Sequence, residues 1–187
     1  MARRGKPDFR GGSGEMNQAE IFGEVNLLTF QEYLDNKPEH MRVPYSEALR
    51  AVRENQPFDV HDPDPRFASD LHATVAEKLV AELGGEFPYM LDQLSFYTAI
   101  HSILDYRYGV DAFFEFTDPE SEQTIRITLD AATYDKGDVS ADVMIVYQSL
   151  DLDDPEDKRK WQELIDQHSD EVVKVILSQI RKEVQYV

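Results

Sequence analysis

The sequence predicts an α+β (or α/β) fold, in which a small mixed sheet with a central β-hairpin is flanked by N-terminal helices and a long C-terminal helix. Apolar and polar residues alternate on both sides of a polar turn between residues 112 and 129, which is typical of a half-buried hairpin. Apolar residues recur every four positions from Phe67 to Leu83, and a second run with helical spacing covers residues 156–184. Together these patterns indicate one sheet packed against helices.

Length and composition favour a single intracellular domain. The chain has 187 residues, enough for one domain with a proper core, which we assign to residues 19–187. It contains no cysteine, which excludes disulfides, thiolate zinc sites and cysteine nucleophiles. No run of apolar residues is long enough for a membrane span or a signal peptide. We therefore expect a soluble, cytoplasmic protein without a membrane partner, and the sequence leaves its oligomeric state open.

The charge is strongly negative, with 37 acidic and 19 basic residues and a formal net charge of −18. Such a field repels nucleic acid and anionic membranes over much of the surface. Three interpretations fit: an ordinary solubilising surface, an adaptation to a salty cytoplasm, or a surface that binds a basic partner or mimics nucleic acid. Composition alone does not separate them.

Residues 1–18 differ from the rest of the chain, because they are rich in glycine and nearly free of apolar residues. This composition predicts a disordered tail. Arg3, Arg4, Lys6 and Arg10 make it locally basic. It is either a solvated tail without a role or a flexible arm that follows a phosphate backbone.

The N-terminal part of the domain predicts short helices. Residues 19–28 are ambiguous between a strand and a helical turn, whereas Thr29 and Glu32 fit a capping box that begins a helix ending near Asn36. A further helix is expected from Tyr45 to Glu54.

Two stronger helices are expected before the hairpin. The first covers Arg66 to Leu83 and is ended by a glycine pair. The second begins at Pro88 and continues to about Tyr106, because apolar side chains form a broad stripe at helical spacing: Met90, Leu94, Tyr97, Ile100, His101 and Leu104. His101 is either a hydrogen-bonded core histidine or, since it precedes the acidic hairpin, a secondary site candidate.

One register of the hairpin gives an unbroken apolar face on one side and a favourable charge pair on the other. Ala112, Phe114 and Phe116 then face Leu129, Ile127 and Ile125 on the apolar side. On the other side Glu115 lies opposite Arg126, which is a favourable charge pair, and Asp111 lies opposite Asp130.

The facing carboxylates of Asp111 and Asp130 need an explanation, because side chains in this relation begin only about 5 Å apart and repel each other. A divalent cation between them is one explanation, since Mg²⁺ and Mn²⁺ prefer oxygen ligands and leave coordination positions for water and a phosphate. The alternative is a different register, or a turn of Asp130 into solvent.

The C-terminal part predicts a third strand and the long helix. Residues 139–147 form the strand, whose apolar run from Val143 to Val146 suits cover on both faces. Asp154 is placed to cap the helix and Pro155 suits its first position.

The order of these elements resembles the core of the PD-(D/E)xK nuclease-like superfamily. Gly109-Val110-Asp111 matches its first acidic motif and Thr128-Leu129-Asp130 its second. The resemblance covers about residues 91–147 and implies that Asp111 and Asp130 bind Mg²⁺ or Mn²⁺. The family's lysine is displaced, because Ala132 stands two positions after Asp130; Lys136 in the following loop would take its role in activating water.

Two functions follow as hypotheses. The first is a divalent-metal-dependent nuclease-like protein, active on DNA or RNA or degenerate, with Asp111, Asp130 and Lys136 as catalytic residues. Secondary candidates for this site are His101, Glu115 and Arg126. The second is a non-catalytic acidic interaction protein that binds a basic protein partner or mimics nucleic acid.

Overall fold

The computed structural model describes residues 18–25, 43–119, 121–132, 141–147 and 150–184, with side chains as far as Arg181. These residues form six helices and four strands. The helices are α1 (Gln18–Phe22), α2 (Tyr45–Glu54), α3 (Arg66–Leu83), α4 (Phe87–Gln93), α5 (Ile103–Tyr108) and α6 (Pro155–Val184). The strands are β1 (Leu94–Thr98), β2 (Ala112–Thr117), β3 (Thr124–Ala132) and β4 (Val143–Val146). The predicted α+β fold with a long C-terminal helix is confirmed.

The four strands form one mixed sheet in the order β1-β2-β3-β4. Strands β1, β2 and β3 are antiparallel neighbours, and β4 runs parallel to β3. The predicted hairpin register is confirmed, because Ala112 pairs with Leu129 and Glu115 pairs with Arg126. Alternation of large apolar and polar side chains therefore specified the pairing correctly.

Each face of the sheet carries its own core. The larger core joins the sheet to α1, α3 and α6 and contains Phe67, Phe96, Phe114 and Trp161. The smaller core joins the opposite face to α2 and α5 around Phe113. Both faces of the hairpin are thus covered, which places the polar residues of the second face inside the protein.

The predicted helix from Pro88 to Tyr106 is wrong. The segment instead forms α4, then β1, then α5. Leu94, Phe96 and Thr98 are buried and their neighbours are half-buried, which is the two-residue period of a strand. The same apolar residues fit a helical spacing, but pairing with β2 decides the conformation.

The C-terminal helix begins as predicted. The Asp154 carboxylate accepts hydrogen bonds from the backbone N–H groups of Glu156 and Asp157 at 2.8 and 3.2 Å, and Pro155 is the first helical residue. Of the predicted strand over residues 139–147, β4 covers Val143–Val146. Val143 and Ile145 are buried while Met144 and Val146 are half-buried, so β4 is covered more fully on one face.

Several predictions fall on residues that the structure does not describe. They are the tail as far as residue 17, the capping box at Thr29 with its helix to Asn36, and the start of the third strand at residues 139–140. Of the ambiguous segment 19–28, residues 19–22 belong to α1. Within the described ranges, every helix is too short or too polar to cross a membrane.

Candidate functional site

The strongest candidate site is the pair Asp111 and Asp130, where β2 and β3 meet. Asp111 precedes β2, its backbone N–H donates to the carbonyl of Leu129 at 2.9 Å, and Asp130 lies in β3. The two side chains share a hydrogen bond. This hydrogen bond shows that the predicted neighbours are together. The two residues are 3% and 6% exposed, so they are almost completely covered.

Two N–H groups hold the Asp111 carboxyl group in place. Its Oδ2 accepts hydrogen bonds from the Gln18 Nε2 amide and from the backbone N–H of Ala131, both at 2.8 Å. Gln18 Nε2 also donates to the carbonyl of Ala131 at 2.8 Å. The start of α1 is thereby tied to the end of the hairpin through one amide group.

Burial raises the pKa of the Asp111 carboxyl group to about 7. The N–H of Ala131 opposes this rise, while the negative charges of Asp130 and Asp105 and the hydrogen bond with Asp130 add to it. The repulsion expected between two facing carboxylates is thus relieved by a proton, which Asp111 keeps up to near neutral pH.

The pair offers a divalent cation few ligands. Two carboxylates meet the minimum that magnesium sites use when substrate and water complete the coordination. Here the Oδ2 atom of Asp111 already accepts from Gln18 and Ala131, and both carboxyl groups are covered. In the part of the chain that the structure describes, no group of three or more His, Cys, Asp or Glu side chains is placed to hold a metal.

Glu115 and Arg126 form a separate ion-pair cluster. Arg126 donates to Glu115 Oε1 from Nε at 2.8 Å and from a terminal nitrogen at 2.7 Å. Arg53 of α2 binds both carboxylate oxygens of Glu115 from the other side, through Nε at 3.1 Å and through Nη2. The predicted Glu115–Arg126 pair is therefore present. Arg53 binds the same carboxylate and so ties α2 to the sheet.

His101 does not lie on a helical stripe as predicted. It is in the connection between β1 and α5, with φ of 66°. Its Nε2 lies 3.4 Å from Glu24 Oε2, and its Nδ1 lies 3.3 Å from the Tyr106 hydroxyl group. Its backbone N–H donates to Asp105 Oδ2 at 2.8 Å. The reason for the error is that the chain ends β1 here instead of continuing a helix.

Lys136, the predicted third catalytic residue, lies outside the described residues. The structure brings Asp111 and Asp130 together, and it places Glu115 and Arg126 four residues further along the same sheet face. Gln18 and Arg53 are the site residues that sequence analysis missed. They contact their carboxylate partners across 93 and 62 positions, and no local pattern marks such distant contacts.

Comparisons with known proteins add no assignment. No protein-family model, no curated protein and no solved structure matches this chain.

Proposed function

We propose that this protein is a non-catalytic acidic interaction protein that binds a basic protein partner through the outer surface of α3 and α6. The observation that carries the proposal is the contrast between two sets of carboxylates. Asp111 and Asp130 are enclosed by the fold, whereas a set of carboxylates on the two packed helices is exposed to solvent.

The acidic helical face is defined by five exposed residues: Glu77, Glu82, Glu163, Asp166 and Asp170. Asp166 and Asp170 are 63% and 69% exposed at their side chains. Lys78, which lies between the two helices, is only 23% exposed and contacts both aspartates, at 2.7 and 2.5 Å. At Asp166 and Asp170 a basic partner would therefore meet carboxylates before Lys78, whereas Glu163 is paired with the exposed Arg159 at 3.5 Å.

A pair of double variants with equal change in net charge tests the proposal. Glu77→Gln with Glu82→Gln neutralises two exposed residues of the acidic helical face, and Glu54→Gln with Glu122→Gln neutralises two exposed residues elsewhere. The probe is a fluorescently labelled oligolysine, with affinity measured by anisotropy. The first variant should bind about twofold to thirtyfold more weakly, since each exposed charge contact contributes roughly 0.2–1 kcal/mol.

The second double variant should bind as the wild type does. Equal weakening in both variants would mean that the probe responds to total charge, and it would refute a defined surface on α3 and α6. Thermal unfolding of both variants checks that neither change alters the fold.

We also infer a second candidate function, the metal-dependent nuclease expected from the sequence. The adjacency of Asp111 and Asp130 supports it, because a divalent cation could replace the proton that Asp111 holds. Asp111 and Asp130 would hold Mg²⁺ or Mn²⁺, the metal would supply an activated water for cleavage of DNA or RNA, and Lys136 would assist.

Melting temperatures at pH 8 test this second function. Millimolar Mn²⁺ should raise the melting temperature of the wild type relative to EDTA, and Asp111→Asn should abolish the rise, because only a cation bound to the native state stabilises it. An identical melting temperature of the wild type with Mn²⁺ and with EDTA would refute the metal site and, with it, the nuclease function.

A further inference from the structure

The two edge strands of the sheet, β1 and β4, differ in the hydrogen bonds that other segments make to their outer edges. On β1, the Phe96 N–H donates to the Val60 carbonyl at 2.8 Å. Gln56 accepts from the Thr98 N–H at 2.9 Å and donates to the Thr98 carbonyl at 3.0 Å. The Leu94 carbonyl is met by two histidine rings, of His61 and His72. The outer edge of β1 is closed.

Among the residues that the structure describes, no segment pairs with the outer edge of β4. In a parallel pair, alternate residues of a strand bond to the neighbour and the others point away. Tyr147 donates to the Ala132 carbonyl at 3.0 Å, so Val143 and Ile145 also face β3, and the backbone N–H and C=O groups of Met144 and Val146 point outwards. Among the described residues, none supplies a hydrogen-bond partner to these outward groups.

A groove lies along this open edge. It has a volume of about 450 Å³ and is lined by Asp142, Val143 and Met144 on the strand side and by Glu171, Lys174 and Val175 on the helix side. Val143 belongs to the larger core and the helix-side residues belong to α6, so the groove lies beside β4 on the face of the sheet that α6 covers. Its apolar part is formed by Val143 of β4 and Val175 of α6.

We propose that β4 accepts an extended segment of the basic partner as a fifth strand, with its apolar side chains in this groove. Strand addition to an open edge supplies backbone hydrogen bonds, while alternate side chains give specificity. The inference rests on the proposed function and adds a contact surface on the β4 side of α6 to the acidic helical face.

The charges that line the groove favour a basic segment over a second copy of this chain. Asp142 and Glu171 bring two carboxylates to the groove against the single ammonium group of Lys174. Thr128 already donates to Asp142 Oδ2 at 2.8 and 2.7 Å, and His168 Nδ1 lies 2.9 Å from Glu171 Oε2, so the excess of negative charge is partly engaged within the fold. A second copy of this chain would bring together two molecules that each have a net charge of −18. A segment that alternates basic and apolar residues fits better: its apolar side chains would face Val143 and Val175, and its basic side chains would face Asp142.

The probe for this inference is a labelled synthetic peptide of alternating lysine and valine, and the control is the same peptide methylated on its backbone nitrogens. Both carry the same charge and side chains, but the methylated peptide cannot donate backbone hydrogen bonds. The wild type should bind the unmethylated peptide about tenfold more tightly, because two lost hydrogen bonds of about 1 kcal/mol each weaken binding by at least that factor.

Variants of Met144 give an independent measurement. Met144→Pro removes an outward N–H at an edge position where proline is tolerated, and Met144→Ala keeps it. The proline variant should bind the unmethylated peptide about fivefold more weakly than the alanine variant does, because one peptide carbonyl loses its donor and a hydrogen bond contributes about 1 kcal/mol. Circular dichroism checks the fold of both, and the peptide comparison in the wild type stands if the proline variant fails to fold.

Equal affinity of the wild type for both peptides would overturn strand addition at β4. If Glu77→Gln with Glu82→Gln still weakens oligolysine binding selectively, the proposed function survives that result. Sedimentation gives one further outcome: self-association that is displaced by the unmethylated peptide would identify a second copy as the occupant and overturn the assignment to a basic partner.

Discussion

At the scale of single residues, the Asp111 carboxyl group shows how burial changes chemistry. Its pKa lies near 7 in the folded protein, against 3.8 for an exposed carboxyl group. The folded state therefore binds an extra proton between these values. The stabilisation that this proton provides is complete below about pH 4 and is lost as the pH rises through about 7.

Asp111→Asn should remove this pH dependence. An asparagine side chain stays neutral, and its oxygen can still accept from Gln18 and Ala131. The variant should gain stability relative to the wild type between pH 5 and pH 8, by a few kcal/mol at most, since one pKa unit corresponds to about 1.4 kcal/mol. Urea unfolding at several pH values measures the difference. Parallel pH profiles for the two proteins would show that Asp111 is ionised throughout.

Gly23 is the second residue whose surroundings define a prediction. It follows α1 with φ of +74°, and a Cβ atom there would lie 3.0 Å from Phe58 Cε1 and 3.1 Å from Pro65 Cγ. Gly84 has φ of +80° and open space around it. Gly84→Ala should therefore lose only about 1–2 kcal/mol through its backbone conformation, and Gly23→Ala should lose more. Similar midpoints of urea unfolding for both variants would contradict the steric part of this argument.

At the scale of elements, Glu115 holds α2 against the sheet. Its side chain is 9% exposed and faces two arginines, Arg53 from α2 and Arg126 from β3. Glu115→Gln leaves both guanidinium groups without a carboxylate, and we expect a loss of about 2–4 kcal/mol in the free energy of unfolding. Glu54→Gln, an exposed change on the same helix, should change it by less than about 0.5 kcal/mol. A stability of Glu115→Gln equal to that of this control would show that the cluster contributes nothing.

The elements also show why sequence reasoning succeeded in one place and failed in another. The hairpin register follows from local alternation, so Ala112↔Leu129 and Glu115↔Arg126 could be predicted. Residues 94–98 carry a pattern that fits both a helix and a strand, and pairing with β2 decides between them. The contacts of Gln18 with Asp111 and of Arg53 with Glu115 depend on distant parts of the chain, so the carboxyl pair was predicted without its covering groups.

At the scale of the whole molecule, the net charge of −18 is distributed over a fold that buries its facing aspartates and exposes carboxylates on α3 and α6. Charges at the surface act over roughly 8–10 Å at moderate salt, so they favour encounter with a basic partner without fixing its position. The open edge of β4 beside α6 would supply the directional contacts that charge alone lacks.

Amide chemical-shift mapping shows which surface of the protein a basic ligand contacts. The ¹⁵N-labelled protein is titrated with oligolysine, and the shifts are assigned along the chain. We predict that perturbed amides cluster in α3 and α6, with few changes at Asp111 and Asp130. Perturbations centred on the carboxyl pair, or spread evenly over the acidic surface, would contradict a defined binding face on the two helices.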